Sequence, residues 1–194
     1  YKRQGLCTIF ILIENIQRDT NIAIINEYAS FLECCDINSN DVINAASTKW
    51  NFLPFQPGLV GGHCISVDPY YYIYKANEIG MNPGIVKAAR NANNNMYFTL
   101  ARWTEKKLSL FNIPINKSKI LILGFSFKEN TSDIRNTKIF DLINTFKDMG
   151  ARLSVSDELC SYDEVKKHYN IELQTPKKNH YDAVFIAVPH DYIL

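Results

Sequence analysis

Cys64 is the residue with the widest chemical reach in this sequence, because of what surrounds it. It lies in Asn51-Phe52-Leu53-Pro54-Phe55-Gln56-Pro57-Gly58-Leu59-Val60-Gly61-Gly62-His63-Cys64-Ile65-Ser66-Val67-Asp68-Pro69-Tyr70. Pro54, Pro57, Gly58, Gly61 and Gly62 rule out a continuous helix or strand, so the stretch reads as a shaped loop whose backbone can pass close to a ligand. Asp68 reads as an N-cap and Pro69 as a first helical residue, which predicts a helix through Tyr70 to Ile79, stopped by Gly80. A thiol about one turn ahead of a helix start sits in partial positive charge that favours thiolate, and Asp68 opposes that effect. A lone cysteine is ordinarily a small buried apolar residue. The glycine-rich loop is what raises the nucleophilic reading beside it.

A second candidate is Gly124-Phe125-Ser126-Phe127-Lys128-Glu129-Asn130-Thr131-Ser132-Asp133-Ile134-Arg135. It is not a Gly-x-Gly-x-x-Gly fingerprint, and none occurs anywhere in the chain, so the nucleotide signal from sequence rules is weak. Lys128 and Arg135, near a helix start, are sensible phosphate partners; unaided, surface charge is the favoured reading of them. Asp157 ends an apolar run at the place where a dinucleotide fold puts its ribose-binding acid, and a capping role is preferred for it. The four histidines have no spacing that suggests a metal site or a triad. The five cysteines are an odd number without zinc-ligand spacing. Adjacent Cys34 and Cys35 read as helix-packing residues, and all five as reduced thiols.

The elements that must position these residues change character along the chain. No pattern assigns Tyr1 to Phe10. From about Ile11 to Cys35 a helical spacing of Leu12, Ile16, Ala23, Tyr28 and Phe31 predicts a long helix. Ser39-Asn40-Asp41 caps a short helix through Val42 to Ala46. Asn82-Pro83-Gly84 opens a second long helix, about Ile85 to Phe111, with Ile85, Ala88, Ala89, Ala92, Met96, Leu100, Trp103 and Leu110 as its apolar positions. Asn91 to Asn95 reads as a polar band. Helices of this length usually need a partner to pack against, which predicts a helical dimerisation domain. After the break at Asn112 to Lys117, strands at Lys119–Gly124, Leu153–Val155 and Ala183–Val188 alternate with helices at Ile134–Met149 and Tyr162–Tyr169. That order predicts a parallel sheet covered by helices, with ligands at the carboxyl ends of its strands.

Composition is that of an ordinary globular chain. A net charge of +1 over 194 residues gives no nucleic-acid footprint. The apolar run Ile9 to Ile13 is ended by Glu14 and Asn15, too short to span a bilayer and a poor signal peptide. A cytoplasmic location without membrane contact is expected.

The loop from Phe55 to Tyr71 strongly resembles the active-site loop of the UDP-glucose/GDP-mannose dehydrogenase family. Its wording Pro57-Gly58-Leu59-Val60-Gly61-Gly62-His63-Cys64 looks most like the UDP-N-acetylhexosamine 6-dehydrogenases of bacterial surface-polysaccharide pathways. Glu14 to Glu27 resembles the start of the family's central helical region. The stretch Gly124 to Arg135 resembles its Gly-x-x-Phe-Lys-x-x-x-x-Asp-x-Arg motif. The implied fold class is α/β: an all-helical central dimerisation domain, residues 1–112, then a Rossmann-like parallel-sheet UDP-binding domain, residues 118–194, shorter than in relatives.

The resemblance implies an NAD-dependent oxidation of a UDP-sugar C6 alcohol to the uronate through a thiohemiacetal and a thioester on Cys64. That route needs a nucleophile that can also leave, which a thiolate is. Asn15 and Asp68 would hold the reacting oxygens and water. Phe55, Pro57, Gly58, Val60 and Gly61 would wrap the substrate, and Phe127 and Lys128 would contact it. Lys49 is the candidate for a basic residue that reaches the partner protomer's substrate in a homodimer. Cys64 and Arg135 are the residues expected to touch NAD. Two features depart from the family: Ile11 stands where its catalytic lysine would be and can neither donate a hydrogen bond nor carry charge, and Gln56 replaces a frequent arginine. The domain that holds NAD in relatives is not matched, so the chain alone is expected not to turn over. Two other readings stay open: a UDP-sugar-binding or dimerisation module, and an inactive remnant of such an enzyme.

Overall fold

A computed structural model describes residues 2–194, with side chains from Ile9 onward. Its described residues form six helices and three strands, and the chain divides into two compact units, one running to Met96 and the other Tyr97–Leu194.

In the first unit, α1 is Lys2–Cys34, so the helix begins well before Ile11. Its buried face also differs from the expected one. Asn15, Asp19, Ala23 and Asn26 point inward, whereas Tyr28 and Phe31 are exposed along with Ile9, Phe10, Ile11, Ile13 and Ile24. A helical stripe was correctly expected, but polar side chains with partners occupy much of it, which shifts the inward face around the axis. One more reading of α1 is corrected. Cys34 and Cys35 are exposed rather than packed, because the helix ends there and the chain turns through Asp36 at φ 55°.

Helix α2 is Ser39–Ala46, and its cap is Asn38, whose side chain accepts from the Asn40 N–H. The loop from Phe52 onward has no regular structure and passes through turns into α3, Asp68–Glu78. The N-cap of α3 is Val67, not Asp68; no side chain caps this end. Pro69 stands in the first turn as expected. The second long helix, α4, is Gly84–Leu110. Of its expected apolar positions Ala89 and Met96 are buried, while Ile85 and Leu110 are exposed. Asn93, read as part of a polar band, is completely buried.

The second unit carries a parallel sheet of β1 Lys119–Leu123, β2 Arg152–Ser156 and β3 Ala183–Ile186, in the order β2-β1-β3. Ile120, Leu121 and Ile122 are buried in the central strand, consistent with a parallel sheet covered on both faces. Helix α5, Ile139–Asp148, buries Ile139, Leu142, Ile143 and Phe146, and the Phe146 ring meets that of Phe185 edge-on at 6.1 Å. Helix α6, Tyr162–Tyr169, is capped by Ser161 and closed by Asn170 in the left-handed region. Helix α5 starts five residues later than its sequence pattern suggests: Asn136 at φ 53° breaks any earlier helix, and the Thr137 hydroxyl accepts from the Ile139 N–H.

From β1 the chain goes to β2 on one side and then crosses to β3 on the other, so the connections diverge at the carboxyl ends of β1 and β3. Such a divergence makes a crevice for ligands. The two strand ends approach closely there: Gly124 lies at φ 92°, and a Cβ on it would meet the Val188 Cβ at 2.5 Å. β3 stops at Ile186 because the N–H groups of Ala187 and Val188 both turn to the Leu123 carbonyl. Among the described residues β3 pairs with β1 alone, leaving an outer edge with Val184 and Ile186 exposed.

Candidate functional site

Within the first unit, the loop that carries Cys64 is tied to α1 in two places. At its end, Asn15 Nδ2 donates to Asp68 Oδ2 at 2.7 Å, across 53 residues of sequence. The Asp68 N–H in turn donates to the Cys64 carbonyl at 2.8 Å, and the Val67 N–H to the same oxygen at 3.0 Å. Cys64, Asp68 and Asn15 are thus joined by consecutive hydrogen bonds, with Asn15 buried and the Cys64 side chain exposed. Asp68 does its work as a side chain turned to α1 rather than to the start of its own helix.

At the front of the loop, Asn26 Nδ2 donates to the Gly58 carbonyl at 3.0 Å and Asn26 Oδ1 accepts the Gly58 N–H at 2.8 Å. Behind Asn26 lies a polar cluster that the sequence reading missed. Asn26 Nδ2 also donates to Asn93 Oδ1 at 2.9 Å, and Asn93 Nδ2 donates to Asp19 Oδ1 at 2.7 Å and to the Asp19 carbonyl at 2.9 Å. Arg90 completes it through an ion pair with Asp19 and a bond to Asn94 Oδ1 at 2.6 Å. Burial pushes the Asp19 carboxyl up from its ordinary value, and the Arg90 guanidinium and Asn93 amide offset only part of that. The available signal was spacing: Asn15, Asp19 and Asn26 fall on one face of α1, and Arg90 and Asn93 one turn apart on α4.

The remaining loop positions are half-buried at Phe55, Pro57, Gly58 and Gly61 and buried at Val60. Lys49 is exposed, ahead of the loop.

In the second unit, the segment after β1 is held by its own backbone and by residues that end the other two strands. The Phe127 N–H donates to the Asp133 carbonyl at 3.0 Å, and the Ser126 hydroxyl to the Lys128 carbonyl at 2.8 Å. Lys128 is exposed, with Nζ 5.6 Å from the centroid of the Phe127 ring. The Arg135 guanidinium is exposed and grips Asp133 through Nε at 3.0 Å and Nη2 at 2.6 Å. Both line a hollow of about 650 Å³ with Ser132, Asn136, Glu164 and His168.

Asp157 and His190 have roles the sequence did not disclose. Asp157 Oδ2 accepts the N–H groups of Phe125 at 2.7 Å and Ser126 at 3.2 Å; Oδ1 accepts those of Leu159 at 2.9 Å and Cys160 at 3.2 Å. Burial alone would raise this carboxyl, but the Phe125, Leu159 and Ser126 N–H groups outweigh it and hold it below its ordinary value. The expected capping role is realised on loop amides of two strands, not on a helix. The fully buried His190 lies 3.1 Å from Asp157 Oδ2 through Nε2, while its Nδ1 accepts the Asn130 N–H at 2.9 Å. Ser126 Oγ faces the same Nε2 at 3.4 Å. A hydrolytic triad needs serine and carboxylate on opposite ring nitrogens, so this cluster is a loop anchor.

These contacts also test whether the sheet suits a dinucleotide. The acid at the end of β2 is fully buried and occupied by four backbone donors, so it has nothing to offer a ribose. The turn after β1 runs into irregular backbone rather than directly into a helix N-terminus. The residues present do not fit a dinucleotide cradle. No group of three or more metal-ligating side chains occurs among the described residues, and no described helix is long and apolar enough to cross a membrane.

The profile for the central domain of the UDP-glucose/GDP-mannose dehydrogenase family matches residues 9–95, and that for its UDP-binding domain matches residues 121–194. Protein CapL of Staphylococcus aureus is 44% identical over 94% of this chain and 43% of its own length. The UDP-N-acetyl-D-glucosamine 6-dehydrogenase of Salmonella typhi is 44% identical over 92% of this chain and 42% of its own length. The chain therefore spans well under half the length of these curated relatives. Among solved structures, the UDP-D-ManNAc dehydrogenase of Pyrococcus horikoshii superposes on 93% of this chain and 41% of its own, with a TM-score of 0.80 at 26% identity. With its thiol loop inside the central-domain match and its β1 segment inside the UDP-binding match, the chain belongs to the UDP-glucose/GDP-mannose dehydrogenase family.

Proposed function

We propose that this chain supplies the thiol loop and the nucleotide-binding half of an NAD-dependent UDP-sugar 6-dehydrogenase, with a UDP-N-acetylhexosamine as substrate. The observation that carries this reading is that the Asn15 amide donates to the Asp68 carboxylate at 2.7 Å while the Asp68 backbone N–H holds the Cys64 carbonyl at 2.8 Å, which keeps the residue with the exposed thiol one turn from that pair. The Cys64 thiolate adds to the C6 aldehyde, forming a C–S bond as the carbonyl pair moves to oxygen. In this reading the Asn15 amide donates to that oxygen. Once oxidation has made a thioester, Asp68 orients water for attack; the C–S bond breaks and the thiolate leaves. The electron acceptor is the nicotinamide. These residues do not cradle it, and they act between the two hydride steps and after the second.

Phe55, Pro57, Gly58, Val60 and Gly61 present the loop backbone to the sugar, and Phe127 and Lys128 hold the uridine diphosphate. Arg135 lies toward NAD. Lys49 reaches a partner protomer's substrate in a homodimer formed through the long helices. The corresponding division of the chain is a helical part to residue 112 and a nucleotide-binding part from residue 118.

Titration calorimetry of the chain with UDP-N-acetylglucosamine tests the reading. Measurable binding, lost or weakened tenfold or more in Lys128→Ala, is expected from removal of a phosphate partner. No heat from UDP or its sugar esters would remove it. A second reading, a UDP-sugar-binding module without turnover, is favoured by the committed Asp157 carboxylate; it shares the binding result and predicts no product when NAD is added.

A further inference from the structure

The loop between Phe52 and Cys64 has little regular structure of its own, yet its Gly58 peptide is paired at both N–H and C=O by one buried side chain. We propose that Asn26 is a positioning residue, acting as a substitute strand partner that sets the height of the Gly58 peptide, and hence of the sugar-facing loop, on α1. The proposal rests on reading this loop as the substrate loop.

Two properties of the cluster single out Asn26. The first is polarity. A carboxylate only accepts, so Asn93 must turn its NH₂ to Asp19 and its Oδ1 to Asn26. Asn26 must then turn its NH₂ to Asn93 and to the Gly58 carbonyl, which leaves Oδ1 for the Gly58 N–H. The amide orientation at the loop is thereby dictated by Asp19, which Arg90 in turn holds. The second property is burial. Asn26 is 2% exposed and Asn93 and Asp19 are 0% exposed, so water cannot replace a lost partner without cost. Both Asn26 Nδ2 protons and its oxygen are spent, and no isostere but a neutral acid can reproduce part of that pattern.

The pattern gives a specific test. Asn26→Asp keeps the shape but sets an ionised carboxylate against two carbonyl-type oxygens, those of Gly58 and Asn93. Protonation restores one donor and one acceptor, so the defect is reversible with pH. The charged groups facing the new carboxyl are Asp19 of α1 and Arg90 of α4, both reached through Asn93.

Hydrogen–deuterium exchange, corrected for intrinsic rates and resolved by peptide, is measured on wild type and Asn26→Asp between neutral and mildly acidic pH. The expected result is faster exchange in residues 52–62 of the variant at neutral pH, by roughly tenfold or more, with recovery on acidification. Residues 119–123 and 152–156 should exchange as in wild type. Loop exchange equal to wild type overturns the proposal. So does a uniform rise throughout residues 9–96, which means general packing, or a loop defect that acid does not relieve. Asn26→Ala, which cannot be rescued by acid, supplies the contrast. None of these readings needs a ligand, so a chain that binds no UDP-sugar would remove the proposed function while leaving the clamp to stand or fall separately.

Discussion

Asp157 gives the second unit a contribution to stability that acid removes. Its folded carboxyl lies below the ordinary value of 3.8, because the N–H groups of Phe125, Leu159 and Ser126 outweigh the cost of burial. A depressed carboxyl contributes stability that is fully present above the unfolded value and is lost as pH falls through the folded one. Asp157→Asn should therefore cost about 2–3 kcal/mol at neutral pH, since an NH₂ would replace an acceptor of backbone donors. It should also flatten the acid limb of a urea-midpoint profile; an unchanged limb would contradict the assignment. Asp19 acts in the opposite sense. Its raised carboxyl holds a proton to higher pH than in the unfolded chain, so in that window acidification favours the fold. The thiols divide equally sharply. Burial, then the Asp157 charge, pushes the Cys160 thiol up, whereas Cys34, Cys35 and Cys64 are exposed. Alkylation of the native chain near neutral pH, read by peptide mass, should mark those three and spare Cys160 until the chain unfolds. The exposed position of Cys64 agrees with its irregular loop; the exposure of Cys34 and Cys35 was not legible, because at a helix end the neighbours of a side chain depend on where the chain turns next, here through Asp36.

At the scale of elements, periodicity located the helices and strands well and located their faces poorly. The strands are short apolar runs, α4 carries a clear repeat, and Tyr162–Tyr169 has a cap and a closing residue, so their extents could be read from local chemistry to within a residue or two. Helix α1 shows the limit. Apolar periodicity presumes that the inward face is the greasy one, yet here Asn15, Asp19 and Asn26 face in and find partners on α3, α4 and the loop. Those partners lie tens of residues away, beyond any local pattern. Asp68 illustrates the same point from the other side: as a local residue it is a good N-cap, and a distant amide recruits it instead. His190 was dismissed for lack of histidine neighbours, whereas its partners Asp157, Ser126 and Asn130 come from the ends of other strands, which only the sheet order brings together.

For the whole molecule, α1 and the start of α4 expose several large apolar side chains, among them Phe10, Ile13, Phe31 and Ile85; where such side chains adjoin, they mark an interaction surface. The proposed homodimer covers such surface. Sedimentation equilibrium should give a dimer for the chain at micromolar concentration and a monomer for Phe31→Glu with Ile24→Lys; a wild-type monomer would remove the dimer from the proposal.

The outer edge of β3 has a different consequence, for handling and for misassembly. Its amides and carbonyls are a bare rail beside Val184 and Ile186, and such rails recruit strands from other molecules. The opposite edge of the sheet is partly taken, since Leu173 bridges Val155 there. Rail-to-rail contact between two β3 strands is self-limiting, because each molecule uses its one open side and the pair closes. Stacking β3 onto the far side of β2 would instead extend without end, and Leu173 stands in the way. Contacts made through this sheet thus favour paired aggregates over fibres.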